Sequence, residues 1–91
     1  MLNSTEIVHP GLRDIYQTGS TANPPPGSAE WRHSQRRLIA LRAAKIPADA
    51  ALPGYLVRPG QRKAHEFGPL PSGGVIEFDW AGVYAQSVDW R

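Results

Sequence analysis

Leu12, Ile15 and Tyr16 fall at i, i+3 and i+4, the spacing that lines one face of a helix, and Pro10 and Gly19 bracket them with start and stop residues. A brief first helix is predicted there. Before it, Glu6 to His9 reads as a short strand, and after it Ser20 to Gly27, with Pro24-Pro25-Pro26 inside, reads as an extended connector. A second helix is expected from Trp31 to about Lys45. Ser28 would cap it, Glu30 and Lys45 have the right signs for its two ends, and Trp31, Gln35, Leu38, Leu41 and Lys45 follow a helical spacing of threes and fours whose apolar members can face a sheet. Ile46-Pro47 ends it, because proline disfavours helical geometry in the preceding residue, and Pro47 to Leu52 adds at most a turn. From there the pattern becomes strand-like, with candidates at Tyr55 to Arg58, Ala64 to Phe67, Gly74 to Trp80 and Val83 to Val88. Alternation puts Ile76, Phe78 and Trp80 on one face and Val75, Glu77 and Asp79 on the other, so one face is expected to be buried. Short turns between consecutive strands favour an antiparallel sheet with both helices on one side, an α+β fold.

Ninety-one residues suit one domain with a thin core, which leaves little room for a deep enclosed active site. The absence of cysteine excludes disulfides, thiolate zinc sites and cysteine nucleophiles. No stretch approaches the ~18 apolar residues of a membrane span, so no membrane partner is expected and the cytoplasm is the default location. Charge is segregated along the chain. Between Trp31 and Lys63 lie eight bases and one acid, Asp49, for +7, while the remainder holds two bases and seven acids, for −5. A block of that sign either meets a polyanion or solvates a helix face.

The segment His9-Pro10-Gly11-Leu12-Arg13-Asp14-Ile15-Tyr16-Gln17-Thr18-Gly19-Ser20 resembles the opening of the HigB-type toxins of the RelE/ParE toxin-antitoxin superfamily. Three later landmarks follow in the family's order. Pro53-Gly54 with the stretch to Ala64 is similar in outline to the third. Val75 to Gly82 keeps the apolar skeleton Ile76, Phe78 and Trp80 of the fourth but has Val75 where the family has arginine. Val88-Asp89-Trp90-Arg91 resembles the family ending, with Trp90 at the tyrosine position and Arg91 at the histidine position. The family's cleaving histidine and lysine, which belong near residues 56 to 60, have no direct counterpart. The resemblance implies a RelE-like fold, two N-terminal helices packed on a small antiparallel sheet. It further implies a type II toxin that enters the ribosome, cuts mRNA as an endoribonuclease without a cofactor, and is silenced by a cognate helix-turn-helix antitoxin.

Cleavage through the 2′-OH needs a proton acceptor, cations for the phosphorane and an acid for the leaving oxygen. Arginine serves the second need and not the others, since its pKa is above ~12. Arg91 is therefore expected to stabilise the scissile phosphate, with His65 or Glu66 handling the proton and Lys63 as a further candidate. Arg32, Arg36, Arg37, Arg58 and Arg62 are candidates for RNA phosphates, and Trp90 for base stacking. His65 and Glu66 also read as plain surface residues of a strand, and the tryptophans as core. Two other readings stay open: a catalytically degenerate RelE-fold binding module, and a ParE-like inhibitor of DNA gyrase.

Overall fold

The computed structural model describes residues 1–18, 31–51, 56–71 and 73–91. A short 3-10 turn, Ser4–Glu6, precedes helix α1 (Pro10–Thr18), helix α2 (Trp31–Ala43) and a second 3-10 turn, Pro47–Ala50. Four strands follow, β1 (Val57–Pro59), β2 (His65–Phe67), β3 (Ile76–Ala81) and β4 (Tyr84–Trp90), forming one antiparallel sheet in the order β1-β2-β3-β4. This is the expected α+β arrangement of two helices and a four-stranded antiparallel sheet. The expected Ser28 cap, the Glu30 charge and the proline run lie outside the described residues, as do the side chain of Trp31 and the residues at 52–55.

The motif from His9 to Tyr16 is structural. His9 Nδ1 accepts the N–H groups of Gly11 and Leu12 at 3.0 and 3.4 Å, so its ring caps α1 as an asparagine or serine would. Leu12 and Ile15 are buried, and Tyr16 donates its hydroxyl to the Leu2 carbonyl at 2.6 Å. Arg13 donates from Nε and Nη2 to the Ile7 carbonyl at 3.0 and 2.7 Å. The expected strand from Glu6 to His9 shrinks to one parallel bridge between Ile7 and Val88, with the Val8 N–H donating to the Val88 carbonyl at 2.7 Å, because a 3-10 turn ends at Glu6 and α1 begins at Pro10.

Helix α2 lies on the sheet with Leu38 and Leu41 inward, as expected. Ser34, Arg37, Leu38, Ala40, Leu41 and Ala44 are buried, whereas Lys45 and Ile39 are exposed. The buried stripe of α2 adds Ser34, Arg37 and Ala40 to the two leucines, while Gln35 is half-buried at its edge. Leu38 and Leu41 meet Leu12, Phe67, Ile76, Phe78 and Val88 in one core, which supplies most of the expected apolar set. Phe67 and Phe78 approach at 5.5 Å between ring centroids, a tilted aromatic pair at the centre.

The strand pattern is specific in two places. Gly82, at φ 62°, opens the two-residue turn between Ala81 and Tyr84, where a side chain would be strained, and Trp80 Nε1 donates to its carbonyl at 2.8 Å. In β4 a bulge follows the Asp79–Gln86 pair, with Ser87 at φ 50°, and the extra residue lets Ala85, Val88 and Trp90 all face the helices. Leu38→Ala is expected to lower the unfolding free energy by about 2–5 kcal/mol, as for other buried leucines. Ile39→Ala, one residue along and exposed, should stay within about 0.5 kcal/mol in the same urea titration.

Candidate functional site

Antiparallel register lines up Arg58, Glu66, Glu77 and Asp89 across all four strands, on the sheet face turned away from the helices. Glu66 and Glu77 are cross-strand neighbours, only 1% and 2% exposed, a placement in which two carboxylates repel unless cations straddle them. Arginines from three segments do so. Arg58 on β1 donates from Nε and Nη2 to Glu66 Oε2 at 3.0 and 2.7 Å. Arg62, from the β1–β2 loop, donates Nε to both Glu77 oxygens at 3.0 and 3.1 Å. Arg91 donates Nη2 to the Glu66 carboxylate at 3.2 and 3.3 Å, lies 3.5 Å through Nε from Glu77 Oε1, and gives Nη1 to Gln61 Oε1 at 2.5 Å. The backbone N–H of Gln61 also donates to Glu66 Oε1 at 3.2 Å.

Arg91 bridges both carboxylates, and Val75 sits beside it, exchanging both backbone hydrogen bonds with it at 2.8 and 3.1 Å. Arg58, Arg62 and Arg91 are balanced in charge by Glu66, Glu77 and Asp89 of the same row. The side chains of Arg58 and Arg62 are 47% and 55% exposed, and Arg62 reaches Glu77 through Nε. Burial opposes ionisation of Glu66, but the hydrogen bonds from Arg58 and the Gln61 amide, with the charges of Arg91 and Arg58, outweigh it and hold its pKa below the ordinary carboxylate value. The hydrogen bond to Glu77 raises the pKa of Arg62 despite desolvation, and the charges of Glu77 and Asp89 add to it. The face is therefore built to keep its charges, and to offer guanidinium N–H groups to an oxyanion.

The expected site residues do not all meet here. His65 is on the helix side of the sheet, stacked on Phe78 at 5.4 Å. Trp90 pairs with Ile76 and packs on that same side, where it lies close over Gly74 and 6.5 Å from the His9 ring. Lys63 is half-buried in the β1–β2 turn, whose tightness leaves no space for a side chain at Gly60. Arg32 and Arg36 are exposed on α2, across the molecule from Arg58, Arg62 and Arg91. Arg37 is corrected from a surface position: 4% exposed, it donates to the His33 carbonyl at 3.1 Å and lies 5.9 Å from the Phe67 ring centroid, out of reach of a phosphate. The expected basic window is thus split between two surfaces. Glu77 and Gln61 were not among the expected residues, and a charged residue in the middle of an apolar strand was the signal for Glu77.

Among the described residues no group of three His, Asp or Glu side chains could hold a metal ion, and no helix is long and apolar enough to cross a membrane. Compared with known proteins, the chain matches no family model and no curated protein.

Because Glu66 titrates lower folded than unfolded, its ion pairs add stability that is fully present above its ordinary value of 4.5 and is lost as pH falls through the lower folded value. The Glu66 contribution to the unfolding free energy should hold level from neutrality down to about 4.5 and decline as pH falls from there through the lower folded value. Glu66→Gln should flatten part of the decline, measured by urea titration at each pH.

Proposed function

We propose that this chain is a HigB-like toxin of the RelE/ParE superfamily, acting on ribosome-bound mRNA and held in check by a helix-turn-helix antitoxin. The observation that carries the reading is the convergence of Arg58, Arg62 and Arg91 from separate segments on one open sheet face. The order of two helices and a four-stranded antiparallel sheet is compatible with a RelE-like fold, and Val75 and Arg91, opposite the family's arginine and terminal histidine in the resemblance, are neighbours on that face. Guanidinium groups in this array suit a phosphate contact and the charge of a phosphorane.

Proton transfer is less well provided. Glu66 is buried, ionised and engaged by Arg58, Arg91 and the Gln61 amide, and His65 is on the far side of the sheet. For Glu66 to act as a base, a phosphate would have to draw Arg58 and Arg91 off its oxygens. This favours a second reading, a RelE-fold module that binds the same target without cutting it.

Ribosome binding should weaken steeply with added salt, and Arg58→Glu with Arg62→Glu should abolish it, while Arg32→Glu with Arg36→Glu on the opposite surface should change it less. Salt-independent binding, or equal loss from both pairs, would sink the assignment of this face. Mapping of cut transcripts separates the readings: a nuclease loses about 10²–10⁴-fold in rate on Glu66→Gln if Glu66 is the base. A binding module leaves transcripts intact and still retains ribosomes.

A further inference from the structure

Among the described residues strand β1 ends the sheet, with β2 on one side and no strand on the other. The bonds from Gly60 to Ala64 and from Gly68 to Leu56, at 3.1 and 2.8 Å, fix which residues face β2. Residues 56, 58 and 60 exchange hydrogen bonds with β2, so by antiparallel alternation the N–H and C=O of Val57 and the C=O of Pro59 point outward. Beside this edge is an open groove of about 390 Å³ lined by Ile46, Pro47, Ala48, Val57, Pro59 and His65, and Arg58 reaches its rim. Ile46, on the groove's wall, is exposed.

Two faces of different chemistry therefore flank one unpaired edge. Val57 and Pro59 turn toward the groove, whereas Arg58 turns toward the opposite face, with Arg62 nearby. A segment added alongside β1 would pair its backbone with Val57, set alternate side chains into the apolar groove and present those between them to Arg58. Apolar residues fit the first positions and carboxylates the second. Pro59 removes a donor from the far end, which limits pairing to a short register and guards against open-ended stacking of sheets.

We propose that β1 and this groove receive a short extended segment of a partner protein, with apolar and acidic residues in alternation, as a fifth strand. The partner is defined by this pattern, and the site does not depend on whether the arginine face meets RNA. Val57 supplies the backbone hydrogen bonds, Ile46, Pro47 and Ala48 the apolar floor, and Arg58 the selection for acid over base.

The test uses the full chain, isotope-labelled, with an end-capped hexapeptide alternating valine and glutamate and a second peptide with lysine in place of glutamate. The expected result is that the glutamate peptide shifts the Val57 amide resonance and slows its exchange with solvent. The lysine peptide should bind at least about tenfold more weakly, as a like charge meets Arg58. N-methylation of the peptide amide that faces the Val57 carbonyl should remove binding. Ala48→Glu, an exposed change that leaves the core untouched, should weaken the glutamate peptide without altering the fold. Equal affinity for both peptides overturns the proposal, as does failure of either to bind. So do resonance shifts confined to Arg62 and Arg91, which would place the acidic peptide on the arginine face, and protection of Val57 that grows with protein concentration without peptide, which would make the occupant a second copy of the chain.

Discussion

Glu66 and Glu77 stand next to each other in the middle of the sheet, and their charge has to be balanced for β2 and β3 to pair in this register. Arg58, Arg62 and Arg91 do that from a strand, a loop and the segment after β4, so the balance also ties those segments to one another. Loss of Arg91 would remove the cation shared by both carboxylates and the hold on Gln61 in the β1–β2 loop. The open face of the sheet is ordered by charge as its other face is ordered by packing.

That arrangement has a chemical consequence. Carboxylates fully engaged by guanidinium groups are poor proton acceptors, and arginine does not transfer protons near neutrality. The face is suited to holding an anion. It meets the requirements of phosphoryl chemistry in part, supplying charge stabilisation more readily than acid-base exchange. His65 lies on the other side of the sheet against Phe78, where it lines the groove beside β1.

The helices illustrate how a sequence motif and a site can part company. His9, Leu12, Arg13 and Tyr16, which carry the resemblance to HigB-type toxins, cap α1, fill the core, hold the Ile7 carbonyl and hold the Leu2 carbonyl. Such residues define a fold opening and leave the chemistry to be set elsewhere. Arg37 makes the same point from the charge side. Its neighbour Arg36 is exposed, and one helical step of about 100° separates a solvated cation from one buried against Phe67.

Local pattern determined the two helices, the four strands and the apolar members of the core, because a period of 3.6 or 2 is written directly into the spacing of Leu12, Ile15, Leu38, Leu41, Ile76 and Phe78. It also placed Glu77 on the face away from the helices. Tertiary structure decided that this face is closed by ion pairs, since burial of Glu66 and Glu77 depends on arginines distant in sequence and on a strand register that no local period encodes. It likewise decided which of the basic residues act together. Charge along the chain sums the arginines of α2 with those of the sheet, whereas the fold puts them on opposite surfaces, because α2 covers one face of the sheet and Arg58, Arg62 and Arg91 lie on the other.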